Sequence, residues 1–145
     1  MVEINEKAFD FTLENQDGVK TKLSDYYGQK ILIYFYPKDM TSGCTKQACS
    51  LQDNMASLND LNLKIFGISK DSVESHKKFQ EKHGLEFDLL ADTEKEVIKS
   101  YGALKGPFTA RIAFLLDENG VVIHKFSKVD TKSFANDVID ILNSL

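Results

Sequence analysis

The alternation of apolar and polar residues predicts an N-terminal hairpin followed by buried strands. Residues 9–13 and 19–23 alternate as half-buried strands do, and the Asn-Gln-Asp-Gly sequence at residues 15–18 is typical of a turn. Residues 31–36 are apolar without alternation, as expected of a central strand that is covered on both faces, and residues 63–69 are predicted to form a second buried strand.

Helical spacing follows the first buried strand. Pro37 ends that strand, because a central strand needs every backbone N–H. From residue 43 to about residue 61 the apolar side chains recur at steps of four and three on one stripe, which comprises Cys44, Ala48, Leu51, Met55 and Leu58. One long helix is therefore predicted over this segment.

The second half of the chain alternates helices and strands. Capping-box pairs open two predicted helices, Asp71 with Glu74 and Thr93 with Glu96. The first of these helices covers residues 73–83 and is stopped by Gly84, and it is followed by a short strand over residues 88–91 and a helix over residues 93–101. A hairpin around Glu-Asn-Gly, over residues 111–117 and 121–126, comes next, and an amphipathic helix is predicted over residues 131–145.

This order of elements predicts an α/β fold with one domain over residues 1–145. Alternating strands and helices favour a mainly parallel sheet with helices on both faces, and the closing hairpin adds an antiparallel edge. The expected architecture is a thioredoxin-like sandwich, with a central mixed sheet flanked by helices and an N-terminal β-hairpin. A chain of 145 residues fits one compact domain of this kind.

Composition and charge exclude several classes of function. The chain is 42% hydrophobic and 28% charged, which is ordinary for a soluble globular protein. Its net charge is −4 and its basic residues are scattered, so no nucleic-acid or membrane partner is expected. No apolar run approaches the ~20 residues needed to cross a bilayer. The polar N-terminus is unlike a signal peptide, which predicts a cytoplasmic location.

Cys44 lies between the first buried strand and the long helix. Active sites in open parallel sheets lie at the carboxyl ends of strands, and the first turn of a helix favours an anion. Cys44 is therefore a candidate nucleophilic thiolate. The alternative interpretation is a small, inert apolar residue at the head of the core stripe.

Cys49, the second of the two cysteines, is five residues further along the same helix. In a regular helix the two Cα atoms would be about 8.5 Å apart. A disulfide requires a separation below about 7 Å, so a bond would need the first turns to unwind. A redox pair and a coincidental second thiol both remain open, whereas a zinc site is disfavoured by the spacing. His76 and His83 are expected to be exposed helix residues.

Two further residues are candidate partners of the Cys44 sulfur. Thr41, three residues earlier, can place a hydroxyl beside it or can cap the helix. Arg111 is the lone arginine among 18 basic residues and opens a strand that a thioredoxin-like sheet places next to the strand before Cys44. There its guanidinium can hold an anion, or it can form an ordinary surface ion pair.

Together these residues resemble the peroxiredoxin family, and within it the bacterioferritin comigratory protein (PrxQ) branch. The motif Pro-x-x-x-Thr-x-x-Cys matches at Pro37, Thr41 and Cys44, and Cys49 matches the resolving cysteine of the branch. Arg111, before Ile-Ala-Phe-Leu-Leu-Asp, is similar to the strand arginine of the family.

The departures from the family pattern are modest. Ser42 stands where the branch usually has proline, and Ala113 replaces a usual serine or threonine. The segment 102–110 is shorter than in many relatives, which affects the rim of the pocket and any dimer contact there.

The resemblance implies a thioredoxin-dependent thiol peroxidase that needs no metal, haem or flavin and contributes to antioxidant defence and redox homeostasis. Its catalytic residues would be Cys44, Cys49, Thr41 and Arg111, with Tyr36 and Gln47 as supporting residues. Cys44 would reduce hydrogen peroxide or an organic hydroperoxide and become a sulfenic acid.

In the same scheme Cys49 would resolve the sulfenic acid as an intramolecular disulfide, and thioredoxin or a similar dithiol would reduce that disulfide. A monomer is expected because the second thiol is in the same chain. A disulfide oxidoreductase would carry Cys-x-x-Cys, which this sequence lacks. The third possibility is a non-enzymatic redox sensor or binding module with the same fold, whose thiol would react slowly with peroxide.

Overall fold

The protein, described here by a computed structural model of residues 2–145, consists of nine strands, five α-helices and one 3-10 helix within those residues. The strands are β1 (Thr12–Glu14), β2 (Lys20–Lys22), β3 (Lys30–Phe35), β4 (Leu63–Ser69), β5 (Asp88–Ala91), β6 (Leu104–Lys105), β7 (Phe108–Thr109), β8 (Ile112–Leu116) and β9 (Val122–Phe126). The helices are α1 (Ser42–Asp53), α2 (Met55–Asp60), α3 (Val73–His83), α4 (Glu96–Ser100) and α5 (Phe134–Asn143), and the 3-10 helix is Leu23–Tyr26.

Seven strands form one mixed sheet in the order β2-β1-β5-β4-β3-β8-β9. The central strands β3, β4 and β5 are parallel, whereas β8 and β9 continue the sheet in antiparallel fashion beyond β3. The predicted N-terminal hairpin, β1 with β2, extends the other edge through an antiparallel pairing with β5. A separate two-stranded ribbon, β6 with β7, has strands of two residues each, too short for a periodicity signal.

Successive residues of β3 face two separate cores. Leu32 and Tyr34 belong to one core, and Ile31 and Ile33 belong to the other, because neighbouring side chains of a strand point to opposite faces. Helices α1, α2, α3 and α5 contribute side chains to the first core, while α4 and the 3-10 helix contribute to the second. This arrangement confirms the predicted mixed sheet with helices on both faces. The expectation that the sheet is mainly parallel is wrong, because four of its six strand pairings are antiparallel.

A glycine in the central strand β4 makes room for a buried tyrosine. Gly67 is paired with Tyr34 across the β3–β4 ladder, and a Cβ atom at residue 67 would lie 2.8 Å from the hydroxyl oxygen and from the Cζ atom of Tyr34. A side chain larger than hydrogen is therefore excluded at residue 67 unless Tyr34 moves.

The long helix predicted over residues 43–61 is two helices, and Asn54 separates them. The backbone leaves the helical region at Asn54, and its side-chain Nδ2 donates to the carbonyl of Ser50 at 2.8 Å. Asparagine competes with helical hydrogen bonding in this way, while the apolar stripe continues across the break.

Both predicted capping boxes are wrong in detail. The N-cap of α3 is Ser72, whose side chain accepts from the N–H of Ser75, not Asp71. At α4 the carboxylate of Asp92, not Thr93, accepts the N–H of Ile98 at 2.8 Å. Neither change alters the helix order, and Gly84 ends α3 in the left-handed conformation as predicted.

None of the helices within residues 2–145 has the length and apolar character that crossing a bilayer requires.

Candidate active site

Cys44 is the third residue of α1, directly after the loop that leaves β3. It is only 2% exposed and belongs to the core between α1 and the sheet. The first four N–H groups of a helix have no intrahelical partner and carry a partial positive charge. An anionic sulfur at Cys44 is therefore stabilised by the start of α1.

Arg111 reaches the same sulfur from the neighbouring strand. It lies just before β8. Because β8 runs antiparallel to β3, the start of β8 lies beside the end of β3, from which the chain continues to α1. Its Nη2 donates to Cys44 Sγ at 3.3 Å, and its Nη1 donates to Gln47 Oε1 at 2.8 Å. Arg111 is thus brought to Cys44 as predicted, and it forms no ion pair with any of residues 2–145.

Two residues of α1 shape the position of the guanidinium. Gln47 is fully buried, and its Nε2 has no hydrogen-bond partner among residues 2–145. Gly43 faces the guanidinium, because a Cβ atom placed on it would lie 3.0 Å from Arg111 Nη2. Glycine therefore allows the close approach of Arg111, and Gln47 orients it.

Thr41 occupies the N-cap position of α1, but its hydroxyl does not cap the helix. The side-chain hydroxyl donates to the carbonyl of Lys38 at 2.9 Å, which closes the turn before the helix. The backbone carbonyl of Thr41 accepts the N–H of Thr45 at 2.9 Å. Thr41 thus fixes the loop that delivers Cys44, and the side-chain capping alternative is wrong.

Cys49 is partly buried on α1, and both cysteines are free thiols. Burial raises the pKa of the Cys49 thiol, and the nearby negative charge of Asp53 raises it further. Its Sγ lies 3.8 Å from His83 Nδ1 on α3. Because α1 is continuous from Ser42 to Asp53, a bond between the cysteines requires α1 to unwind, as the sequence predicts.

A buried polar network lies below the loop between β3 and α1. Asp39 Oδ2 lies 2.7 Å from His76 Nδ1, and Asp39 Oδ1 accepts the hydroxyl of Tyr36 at 2.5 Å. Burial raises the pKa of Tyr36 far above its usual value, so Tyr36 acts as a hydrogen-bond donor. Asp39 also accepts the hydroxyl of Ser75, and its own N–H donates to Asp71.

The prediction that His76 is exposed is wrong, since its side chain is 0% exposed. His83 is partly buried rather than exposed. The sequence carries a signal for both: His76, Phe79 and His83 recur at steps of three and four, which places them on one face of α3. The buried Phe79 identifies that face as the one turned to the core.

A cysteine at the start of a helix, held beside an arginine on a mixed sheet with helices on both faces, defines a thioredoxin-like thiol site. The model of the AhpC/TSA family matches residues 4–125. Peroxiredoxin Bcp of Bacillus subtilis is 40% identical, with 99% of this chain and 97% of that protein covered. Peroxiredoxin Bcp of Escherichia coli is 39% identical, with 90% and 88% covered.

Solved structures agree with the sequence comparison. Peroxidoxin BcpB from Mycobacterium tuberculosis has a TM-score of 0.92 at 27% identity and covers 100% of this chain and 99% of its own. The bacterioferritin comigratory protein of Xanthomonas campestris has a TM-score of 0.90 at 30% identity, with 99% and 97% covered. The predicted thioredoxin-like fold is confirmed.

The chain belongs to the AhpC/TSA family, within its Bcp/PrxQ group of peroxiredoxins. It is accordingly a thiol peroxidase with cysteine-based chemistry, and the family predicted from the sequence is confirmed.

Proposed function

We propose that Cys44 is the peroxide-reducing cysteine and Cys49 the cysteine that resolves it. The observation that carries this assignment is the 3.3 Å contact between Arg111 Nη2 and Cys44 Sγ at the first turn of α1. A guanidinium and a helix start both favour an anion, so they stabilise the nucleophilic thiolate at this sulfur and not at Cys49.

In the first step the Cys44 thiolate attacks the terminal oxygen of the peroxide. The S–O bond forms as the O–O bond breaks, Cys44 becomes a sulfenic acid, and the departing oxygen takes a proton and leaves as water or an alcohol. Arg111 and the N–H groups of the first turn stabilise the charge that develops on the departing oxygen. Gln47 Nε2, which has no hydrogen-bond partner in the described part of the chain, is a further donor in this region.

Thr41 positions the loop for this step. Its hydroxyl bond to Lys38 and its backbone bond to Thr45 hold the end of the loop at the start of α1. The hydroxyl is three residues from Cys44 and can turn from the Lys38 carbonyl to a bound peroxide. Thr41 is therefore assigned to substrate binding as well as to loop geometry.

In the second step the Cys49 sulfur attacks the Cys44 sulfenic acid. Water leaves, and the two sulfurs form a disulfide within one chain after part of α1 has unwound. A dithiol of the thioredoxin type then reduces the disulfide by exchange. Because one chain supplies both thiols, turnover in a monomer is expected.

Hydrogen peroxide and organic hydroperoxides are the proposed substrates. The Xanthomonas campestris relative is described as having alkyl peroxide reduction activity, which supports the organic class for this chain. A cytoplasmic site of action is proposed because two free thiols suit a compartment that holds a dithiol reductant. We further propose that residues 1–145 act as a single domain.

Two serine substitutions test the assignment. Peroxide consumption is measured with NADPH, thioredoxin and thioredoxin reductase, and thiols are trapped by rapid alkylation and counted by intact mass. Cys44→Ser is expected to abolish peroxide consumption. Cys49→Ser is expected to keep the first oxidation, to form no intramolecular disulfide, and to accumulate sulfinic acid unless another thiol is supplied.

The two variants serve as controls for each other, because each removes one thiol from the same helix. Peroxide consumption by Cys44→Ser at the wild-type rate would overturn the assignment of Cys44. Sustained thioredoxin-dependent turnover by Cys49→Ser at the wild-type rate would overturn the assignment of Cys49.

A further inference from the structure

The proposed reaction leaves Cys49 without an activating group. Disulfide formation needs the thiolate of the attacking cysteine, because the neutral thiol is a poor nucleophile. The pKa of Cys49 is raised by burial and by Asp53, so near neutral pH this residue is a thiol. Arg111, which stabilises an anion at Cys44, contacts Cys44 and Gln47 rather than Cys49.

His83 is placed to remove the Cys49 proton. Its Nδ1 lies 3.8 Å from Cys49 Sγ, a distance at which a sulfur hydrogen bond forms, although 34 residues separate the two positions. In the tautomer that carries its proton on Nε2, Nδ1 accepts the S–H of Cys49. The imidazole is the side chain that best combines base strength with availability at neutral pH.

The imidazole is held in this position by its surroundings. His83 is the last residue of α3, and its ring packs edge-on against the buried ring of Phe79, with 5.4 Å between centroids and an interplanar angle of 83°.

We propose that His83 is the general base for Cys49 in the disulfide-forming step, an inference that rests on the proposed roles of Cys44 and Cys49. His83 Nδ1 takes the S–H proton while Cys49 is still in the helix. As α1 unwinds, the Cys49 thiolate attacks Cys44 Sγ, the S–S bond forms and the S–O bond breaks. The hydroxide that leaves takes up one proton and becomes water, and the imidazolium gives its proton back to solvent, so no external oxidant or reductant takes part.

The test separates the two chemical steps of one turnover. Reduced protein is mixed with one equivalent of hydrogen peroxide and quenched at intervals with an alkylating reagent, and intact mass spectrometry then distinguishes thiol, sulfenic acid, disulfide and sulfinic acid. The variants are His83→Gln, which keeps size and polarity without basicity, and His83→Ala. Circular dichroism checks that both are folded.

Oxidation of Cys44 is expected at the wild-type rate in both variants, whereas disulfide formation is expected to slow by about 10²-fold or more, the usual range for loss of a general base. Sulfinic acid should then appear in the variants at a lower peroxide concentration than in the wild type. Added imidazole should restore disulfide formation in His83→Ala, because a free base can enter the space left by the ring. Lys82→Ala, an exposed neighbour on the same turn, should behave as wild type.

The outcomes distinguish the two proposals. If wild-type protein forms no Cys44–Cys49 disulfide, the proposed function fails. If the wild type forms the disulfide and both His83 variants form it as fast or faster, the role of His83 as a base is overturned. Faster formation would indicate that the His83 side chain only restrains α1, because removing such a restraint lets the helix unwind more easily. A slow His83→Ala variant that imidazole does not rescue also overturns the role of His83 as a base.

Discussion

Arg111 Nη2 lies 3.3 Å from Cys44 Sγ, although 67 residues separate the two in the chain. The antiparallel register of β3 and β8 creates this contact, because Phe35 at the end of β3 pairs with Ile112, the residue after Arg111. Arg111 therefore lies at the end of the sheet from which the chain continues from β3 to α1. The guanidinium uses one nitrogen for the sulfur and the other for Gln47.

This division of donors predicts that lysine cannot replace Arg111. Arg111→Lys keeps the positive charge but has a single ammonium group, which cannot hold Gln47 and the sulfur in the fork geometry. Loss of one preorganised donor to a developing charge usually costs about 10²-fold in rate. The second-order rate constant for Cys44 oxidation, followed by peroxide loss in single turnover, is expected to fall to that extent.

Gln47→Ala is the companion variant for this prediction. It leaves Arg111 in place but removes the amide that orients it, so a smaller decrease than in Arg111→Lys is expected. Unchanged rates in Arg111→Lys would show that charge alone is sufficient and that the fork has no catalytic part.

Replacing Gly43 by alanine is expected to slow the oxidation of Cys44 while leaving the stability of the protein equal or higher. A methyl group at this residue would lie 3.0 Å from Arg111 Nη2, so Gly43→Ala is expected to push the guanidinium away from Cys44. A misplacement of about 1 Å can lower a catalytic rate by about 10²-fold, so a decrease of about tenfold or more is expected. Alanine is also the better helix former, which raises stability by up to about 1 kcal/mol.

Peroxide kinetics and urea unfolding of the same preparation check this combination of slower oxidation and equal or higher stability. Ser42→Ala, at the exposed preceding residue, provides the control and should retain the wild-type rate. A Gly43→Ala variant with full activity would mean that Arg111 accommodates the methyl group at no cost.

The sequence predicts the strands and one helix well because their signals are local. The bounds of β4, α3 and β5 match the predicted residues 63–69, 73–83 and 88–91. Continuous apolar runs identify buried strands, and a glycine at the end of a helical pattern marks its last turn. The approach of Arg111 to Cys44 was predictable because these residues form a motif with Thr41, and the catalytic roles of the three residues stay predictions.

The parts that could not be predicted depend on contacts between distant residues. The break at Asn54 is hidden because Leu51, Met55 and Leu58 keep the helical spacing across it. The spacing of His76 with Phe79 indicates a position facing the core, but the partner of the buried histidine is Asp39, a carboxylate 37 residues earlier that no periodicity reveals. Tertiary pairing decides such polar positions.

The buried pair of Asp39 and His76 is expected to contribute substantially to stability. His76 Nε2 donates to the Leu90 carbonyl at 3.0 Å, and its Nδ1 lies 2.7 Å from Oδ2 of Asp39. His76→Ala removes that partner from a carboxyl group that is itself buried, and breaking a buried pair typically costs about 3–5 kcal/mol. A decrease of about 3 kcal/mol in the free energy of unfolding is expected in urea titrations.

Ser75→Ala is the matched control for the pair, because the Ser75 hydroxyl donates to the same carboxylate oxygen from the neighbouring residue of α3. Losing this hydrogen bond to the Asp39 carboxylate should cost about 1.5 kcal/mol, the lower end of the range for bonds to charged groups and less than the loss of the pair. If His76→Ala costs no more than Ser75→Ala, the pair makes no special contribution. Asp39→Asn, alone and combined with His76→Ala, completes the cycle and isolates the coupling between the two side chains.

The charge of Asp53 raises the pKa of Cys49, and this effect can be measured. Burial is the larger reason that the pKa of Cys49 lies above its ordinary value of 9.0, and the charge of Asp53 is the second. Asp53→Asn removes the charge but not the burial, so the pKa is expected to fall only part of the way. The measurement is the pH dependence of iodoacetamide alkylation in a Cys44→Ser background, where Cys49 is the remaining cysteine.

The alkylation curve should move to lower pH in Asp53→Asn, while Asp60→Asn on α2, an exposed acidic residue outside α1, should leave it in place. The same shift affects stability. Above the unfolded-state pKa the unfolded chain has lost the thiol proton while the folded chain keeps it, so the free energy of unfolding falls as pH rises through that interval. Asp53→Asn narrows the interval between the unfolded-state and folded-state pKa of Cys49 and should reduce this loss of stability. An alkylation curve that moves to higher pH in Asp53→Asn would show that Asp53 stabilises the thiolate of Cys49 by another route.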